Sequence, residues 1–220
     1  MSSVLMPLAA GFEELEAIAV IDILRRAETT VTVAALTPTL RVTGSHQITV
    51  EADTTLAEVL AAHPHPSTHF DALVLPGGPG TQALHRDPRV IDLLKDFAQN
   101  NRLLGAICAA PTVLAAQGLL AEHAATTYFD PTAYHQALHG QGSLGLPLGP
   151  IGEYRLDAVV VSGSRITSRG AGTAVDFALT LVAKLVGIPT AQRIATGIHA
   201  SWQPQWVKDS KGTDLDKGNV

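Results

Sequence analysis

The sequence predicts an α/β protein in which a mostly parallel sheet is covered by helices on both faces. Three observations predict it. Short β-rich apolar runs alternate with longer segments of helical period, the pattern left by repeated strand-helix-strand units. With 220 residues, 46% of them hydrophobic, the chain is long enough to bury one large core and short for two full domains. From Leu103 to Pro111 an apolar strand runs into a helix with a reactive residue, Cys108, at the corner.

In chain order, strands are expected over 3–8, 31–36, 72–76, 103–107 and 157–168, the last a hairpin turning at Ser162-Gly163-Ser164. A smaller hairpin is expected within 41–50, through Thr43-Gly44-Ser45. Helical periodicity covers 13–27, 55–62, 88–100, 109–117 and 173–187, with a further helix at 190–200. Thr173 followed by Asp176 resembles a capping box, and Gly187 with Pro189 stops the same helix. Gly118 is placed to end the helix that follows Cys108. One domain over 1–207 is expected, followed by a polar, glycine-containing tail over 208–220 that is disordered or loosely docked.

Composition narrows the partners. A formal net charge of −5 with scattered Lys and Arg disfavours nucleic acid as a purely electrostatic partner. A single cysteine cannot form an intrachain disulfide, which suits a reducing, cytoplasmic compartment. The N-terminus has no basic region before its short apolar run and does not read as a signal peptide. Leu103 to Ala121 is uncharged and about as long as a membrane span, but Gly105, Pro111, Gln117 and Gly118 interrupt it, so a buried strand and helix are expected rather than a membrane anchor. His63, His65 and His69 lie in a proline-broken loop without acidic or cysteine companions, and a solvated loop is expected there rather than a metal site. No metal or other cofactor is expected elsewhere.

Candidate chemistry centres on Cys108. Ala106 and Ala110, two residues before and after it, meet the steric requirement of a nucleophile elbow, in which a tight turn lifts the nucleophile above the sheet. Pro111 suits the first helical turn, and the helix terminus favours a thiolate, with a pKa below the free value of about 8.5. A buried core cysteine is the alternative from this segment alone. Among the acids of Gly11-Phe12-Glu13-Glu14-Leu15-Glu16, only Glu16 falls on the apolar stripe with Phe12, Val20, Ile23 and Ala27, while Glu13 and Glu14 are expected to face water or cap. A carboxyl on an apolar face has a raised pKa and, protonated, donates to a nearby thiolate; an edge position with the carboxylate reaching water is the alternative. Both residues follow the carboxyl ends of strands, where ligands bind in open α/β sheets. The loop Pro76-Gly77-Gly78-Pro79-Gly80 lacks the phosphate-binding and dinucleotide signatures. It is either a simple turn or, with the Ala109 amide, a source of oxyanion-binding N–H groups.

These stretches, with Thr167-Ser168-Arg169-Gly170-Ala171-Gly172-Thr173, resemble the ThiJ/PfpI superfamily, in particular the branch of the parkinsonism-associated deglycase and bacterial YajL, over residues 4 to about 200. The resemblance implies a flavodoxin-like three-layer sandwich, a homodimer, a nucleophilic Cys108 and a protonated Glu16 beside it. It implies small reactive carbonyls or glycated adducts as substrates, with Gly77, Gly78, Ala109 and Tyr128 around them. The alternative is a redox sensor or redox-regulated chaperone that works by oxidation of Cys108. Three positions depart from the pattern. Ala109 stands where protease-like relatives carry histidine, so peptidase activity is disfavoured. Tyr128 stands where the parkinsonism protein has histidine, and His46 where it has arginine.

Overall fold

A computed structural model describes residues 1–203; the expected polar tail lies outside the described residues. In chain order the elements are β1 (Ser3–Leu8), α1 (Glu14–Arg26), β2 (Thr30–Ala35), β3 (Arg41–Thr43), β4 (Thr49–Glu51), β5 (Thr54–Thr55), α2 (Leu56–Ala62), β6 (Ala72–Leu75), α3 (Thr81–Arg86) and α4 (Pro88–Gln99). There follow β7 (Leu103–Ile107), α5 (Pro111–Ala116), β8 (Ala124–Ala125), α6 (Pro131–Leu138), β9 (Glu153–Tyr154), β10 (Val159–Ser162), β11 (Arg165–Ser168), α7 (Ala174–Leu185) and α8 (Ile188–Gly197).

Seven strands form the central sheet in the order β10-β11-β7-β6-β1-β2-β5. Every pairing is parallel except β10 with β11. Alternation along each strand divides the core. Val4, Met6, Val74 and Ile166 pack with α1, α7 and α8, while Leu5, Leu73, Leu75 and Leu104 pack with α2, α4 and α5, because successive strand side chains point to opposite faces. Helices on both faces explain why β1, β6 and β7 read as continuous apolar runs rather than alternating ones. This is a flavodoxin-like α/β sandwich.

The interrupted apolar stretch is divided between β7 and α5, and no helix among the described residues is long and apolar enough to cross a membrane. Both hairpins form, the larger turning through Gly163 at φ 61°. Gly118, at φ 73°, closes the turn after α5 by donating to the Ala115 carbonyl at 2.8 Å. The segment 63–69 contains a single 3₁₀ turn, Pro66–Thr68, and the rings of His63 and His69 stack at 3.9 Å.

Two expectations are corrected. Thr173 makes no side-chain cap to α7; its hydroxyl donates to the Gly170 carbonyl at 2.8 Å and meets Ser168 Oγ at 2.7 Å. The tight turn after β11 uses that oxygen first. Glu14 does not face water. It is buried, and accepts from the His46 amide at 2.6 Å and Ser45 Oγ at 3.2 Å, with His46 Nδ1 at 2.8 Å. Burial opposes ionisation there, but the His46 side chain and amide outweigh it and hold the carboxyl down to about 2. Glu14 thereby fastens the β3–β4 hairpin to the start of α1.

Helices α3 and α6 and the short strands β5, β8 and β9 were not expected from periodicity. For α6 a local signal existed: Asp130 caps it, accepting from Thr132 and Ala133 amides at 2.9 and 3.0 Å, with Pro131 in the first turn. That Asp-Pro start is a recognised helix signature.

Candidate active site

Cys108 sits between the end of β7 and the start of α5 with φ 64°. A non-glycine residue in that region is strained by roughly 1–3 kcal/mol and persists only where its surroundings fix it. Two hydrogen bonds fix it here: the Cys108 amide donates to the Ser168 carbonyl at 2.9 Å, and its carbonyl accepts from the Tyr128 amide at 2.8 Å. Ala106 and Ala110 are fully buried, as the sharp turn requires of small neighbours. The thiol is half-buried.

Glu16 is 0% exposed. Glu13 caps α1 by accepting the Glu16 amide at 2.8 Å, which fixes the first turn and aims Glu16 inward. Glu16 Oε2 accepts the Gly77 amide at 2.8 Å, whereas Glu16 Oε1 is buried without a hydrogen bond among the described residues. The Cys108 side chain interacts with this carboxyl.

Gly77 is the point where the three segments converge. A Cβ there would lie 2.6 Å from Cys108 Cβ, 2.8 Å from Glu16 Oε2 and 3.0 Å from the Ile107 carbonyl. Its amide is committed to Glu16, which leaves the amides of Gly78 and Ala109 to act on the Cys108 sulfur and favour its anion. Gly78, at φ 86°, needs its conformational freedom, since a Cβ would come within 2.6 Å of the Glu13 nitrogen.

The two acids form one titrating unit. Burial, against the Gly77 amide and the Cys108 contact, raises Glu16 from 4.5 to about 7. Burial and the Glu16 charge push Cys108 up to about 12, against the Gly78 and Ala109 amides. A thiol depressed simply by the helix terminus is therefore not what the fold builds; α5 is only 6 residues long, and desolvation outweighs it. Because Glu16's charge is one of the influences raising the thiol, the pair loses its first proton near 7 and its second near 12. Between those values the remaining proton rests mainly on the Cys108 sulfur, and a thiolate exists only when Glu16 takes that proton up.

Tyr128 is 64% exposed at the rim, its ring edge-on to Phe129 with centroids 5.6 Å apart. One residue escaped the sequence reading. His85 on α3 is buried with Nε2 2.9 Å from Thr112 Oγ1, and Thr112 donates to the Ala109 carbonyl at 2.6 Å. Since the only hydroxyl proton goes to Ala109, His85 Nε2 carries the donated N–H. Burial lowers His85 to about 4, keeping the ring neutral. This strut joins the glycine loop, through α3, to the elbow.

Among the described residues one group has metal-ligand proximity: Glu13, Glu14 and His46 offer atoms within 4.8 Å of one another. Two of the three already bind each other in docking the hairpin.

A flavodoxin-like sandwich with a strained elbow cysteine over a buried carboxyl defines a class of α/β proteins. The sequence matches the DJ-1/PfpI family over residues 2–184, and the chain belongs to that family. It is 39% identical over 202 residues to protein dj-1beta of Drosophila melanogaster, covering 91% of this chain and 98% of that one. The crystal structure of that Drosophila protein superposes with a TM-score of 0.77, covering 92% of this chain and all of the other. The glutathione-independent glyoxalase DJR-1.2 of Caenorhabditis elegans is 40% identical over 118 residues, 54% of this chain and 56% of that protein. DJ-1 homolog B of Arabidopsis thaliana is 38% identical over 186 residues, 84% of this chain, and the chain spans 38% of its length.

Proposed function

We propose that this chain is a cysteine-dependent catalyst acting on small reactive carbonyls, glyoxals or their early adducts, without metal or glutathione. The observation that carries the reading is geometric: at Gly77 the strained elbow cysteine and the fully buried Glu16 meet, a Cβ there lying 2.6 Å from Cys108 Cβ and 2.8 Å from Glu16 Oε2. The thiolate with protonated Glu16 is a nucleophile with its proton donor already in place. With methylglyoxal, the sulfur adds to the aldehyde carbon and Glu16 protonates the resulting alkoxide, giving a hemithioacetal. The Glu16 carboxylate then removes the C1 proton and returns it to C2, while the hydroxyl proton on O1 passes to the O2 oxygen through the enediol, leaving a thioester. Water hydrolyses the thioester to lactate and frees the thiol. Gly78 and Ala109 amides stabilise negative charge, first on sulfur and then on oxygen. The partially similar nematode glyoxalase supports this reading. Tyr128, exposed at the rim, contacts substrate, and the catalyst works as a cytoplasmic homodimer.

Enzymatic measurement of lactate tests the proposal. Wild type is expected to form lactate over many protein equivalents, and Cys108→Ser to form none. Equal lactate from both sinks the catalytic reading and favours the redox or chaperone alternative, in which Cys108 is oxidised to sulfinate beside Glu16.

A further inference from the structure

A buried cationic group lies at the opposite end of the sheet from Cys108. Arg165 opens β11, paired with Leu104 at the start of β7, and is 7% exposed. Its neighbour Ile166 packs in the core with α7. Alternation therefore turns Arg165 to the other face. No ion pair among the described residues includes it. Burial lowers its pKa, and among the described residues no acid offsets that. Arginine cannot escape by losing its proton, so an uncompensated buried guanidinium is costly.

The guanidinium is also half used. Nη1 donates to Ser164 Oγ at 2.6 Å, while Nε is buried without a partner. Nη1 lies on the far edge of the group from the Nε–H. The Nε/Nη2 edge, the fork that grips an oxyanion through two parallel hydrogen bonds, is therefore not engaged through Nε. Around it stand hydrogen-bonding groups. Ser162 is the cross-strand partner of Arg165, and its Oγ lies 3.1 Å from His123 Nδ1. Burial and then the Arg165 charge lower the His123 pKa, opposed in part by the hydrogen bond with Ser162 and then by the Glu122 charge.

We propose that Arg165, with Ser162 and His123, binds a small oxyanion, of the phosphate or carboxylate type, at a site separate from the cysteine. The anion supplies the negative charge that no ion pair among the described residues provides, and takes the Nε–H, sealed from solvent at rest, through a shift of the side chain that opens it.

Calorimetric titration with inorganic phosphate, and separately with acetate, each against matched chloride, tests this. Saturable binding of either oxyanion is expected, and the tighter of the two identifies the source. Arg165→Gln should weaken it by at least about tenfold, whereas Cys108→Ser should leave it unchanged, which separates this site from the elbow. Arg165→Met should unfold at a higher temperature than wild type in chloride, and phosphate should not raise it further. A purely structural arginine would instead make Arg165→Met less stable in both buffers, and that result overturns the proposal. So does the absence of saturable binding, or equal binding by wild type and Arg165→Gln. Should Arg165→Met fail to fold, Arg165→Lys, which keeps the charge but lacks the fork, must still lose the oxyanion affinity.

Discussion

Replacing Glu16 with Gln removes one titration and little else, since the amide oxygen still accepts the Gly77 N–H that now meets Oε2 at 2.8 Å. In wild type the folded protein holds the Glu16 proton more tightly than the unfolded chain, with the value rising from 4.5 to about 7. A raised folded pKa gives stability that is full below 4.5 and is lost as pH climbs through about 7. At roughly 1.4 kcal/mol for each tenfold change in proton affinity, the loss is about 3 kcal/mol. Glutamine has no such loss. Urea unfolding of both proteins at intervals from about pH 4.5 to pH 8 isolates the effect, because Glu14, His46 and the other titrating groups are common to both and cancel in the difference. Glu16→Gln should gain on wild type by about 3 kcal/mol across that range, most of it between about pH 5 and 7. A difference that does not change with pH would refute the placement of an ionisable, desolvated carboxyl at this point.

Four further outcomes are expected. Alkylation of Cys108 in wild type should rise in two steps, near 7 and toward 12, and in Glu16→Gln in one; a first rise at about pH 8 or above would show that no thiolate is held by protonated Glu16. Gly77→Ala, whose Cβ would fall 2.6 Å from Cys108 Cβ, should cost about 1–3 kcal/mol by denaturation and slow alkylation sharply; unchanged reactivity would mean that the three segments do not meet tightly there. His85→Leu leaves Thr112 Oγ1 without its donor and should cost about 1–3 kcal/mol, with His85→Gln restoring most of it; equal losses in the two would assign the effect to packing. Leu15 and Ile18 on α1 and Ile48 beside the docked hairpin are exposed, so sedimentation should give a dimer, and Ile18→Glu a monomer, with wild-type monomer at micromolar concentration refuting the pairing.

By itself the sequence determined the layered fold and the two residues at its centre. Apolar runs with period two or none mark β1, β6 and β7, helical stripes mark α1, α4 and α7, and these periods are local properties of neighbouring residues. Cys108 was legible because a reactive side chain flanked by alanines stands where strand becomes helix, and Glu16 because one acid breaks an apolar stripe. Tertiary structure decided everything that depends on what faces those residues. Glu14 looked like a surface acid until the β3–β4 hairpin, 32 residues away, closed over it. His85 lay in a stretch with no strong period, and gained its place only when Thr112, 27 positions on, came within 2.9 Å. The thiol's proton affinity followed the same rule. A helix terminus can be read from adjacent residues and argues for a low value, but desolvation and the charge of Glu16 come from packing between distant segments, and in the buried elbow they are the larger influence.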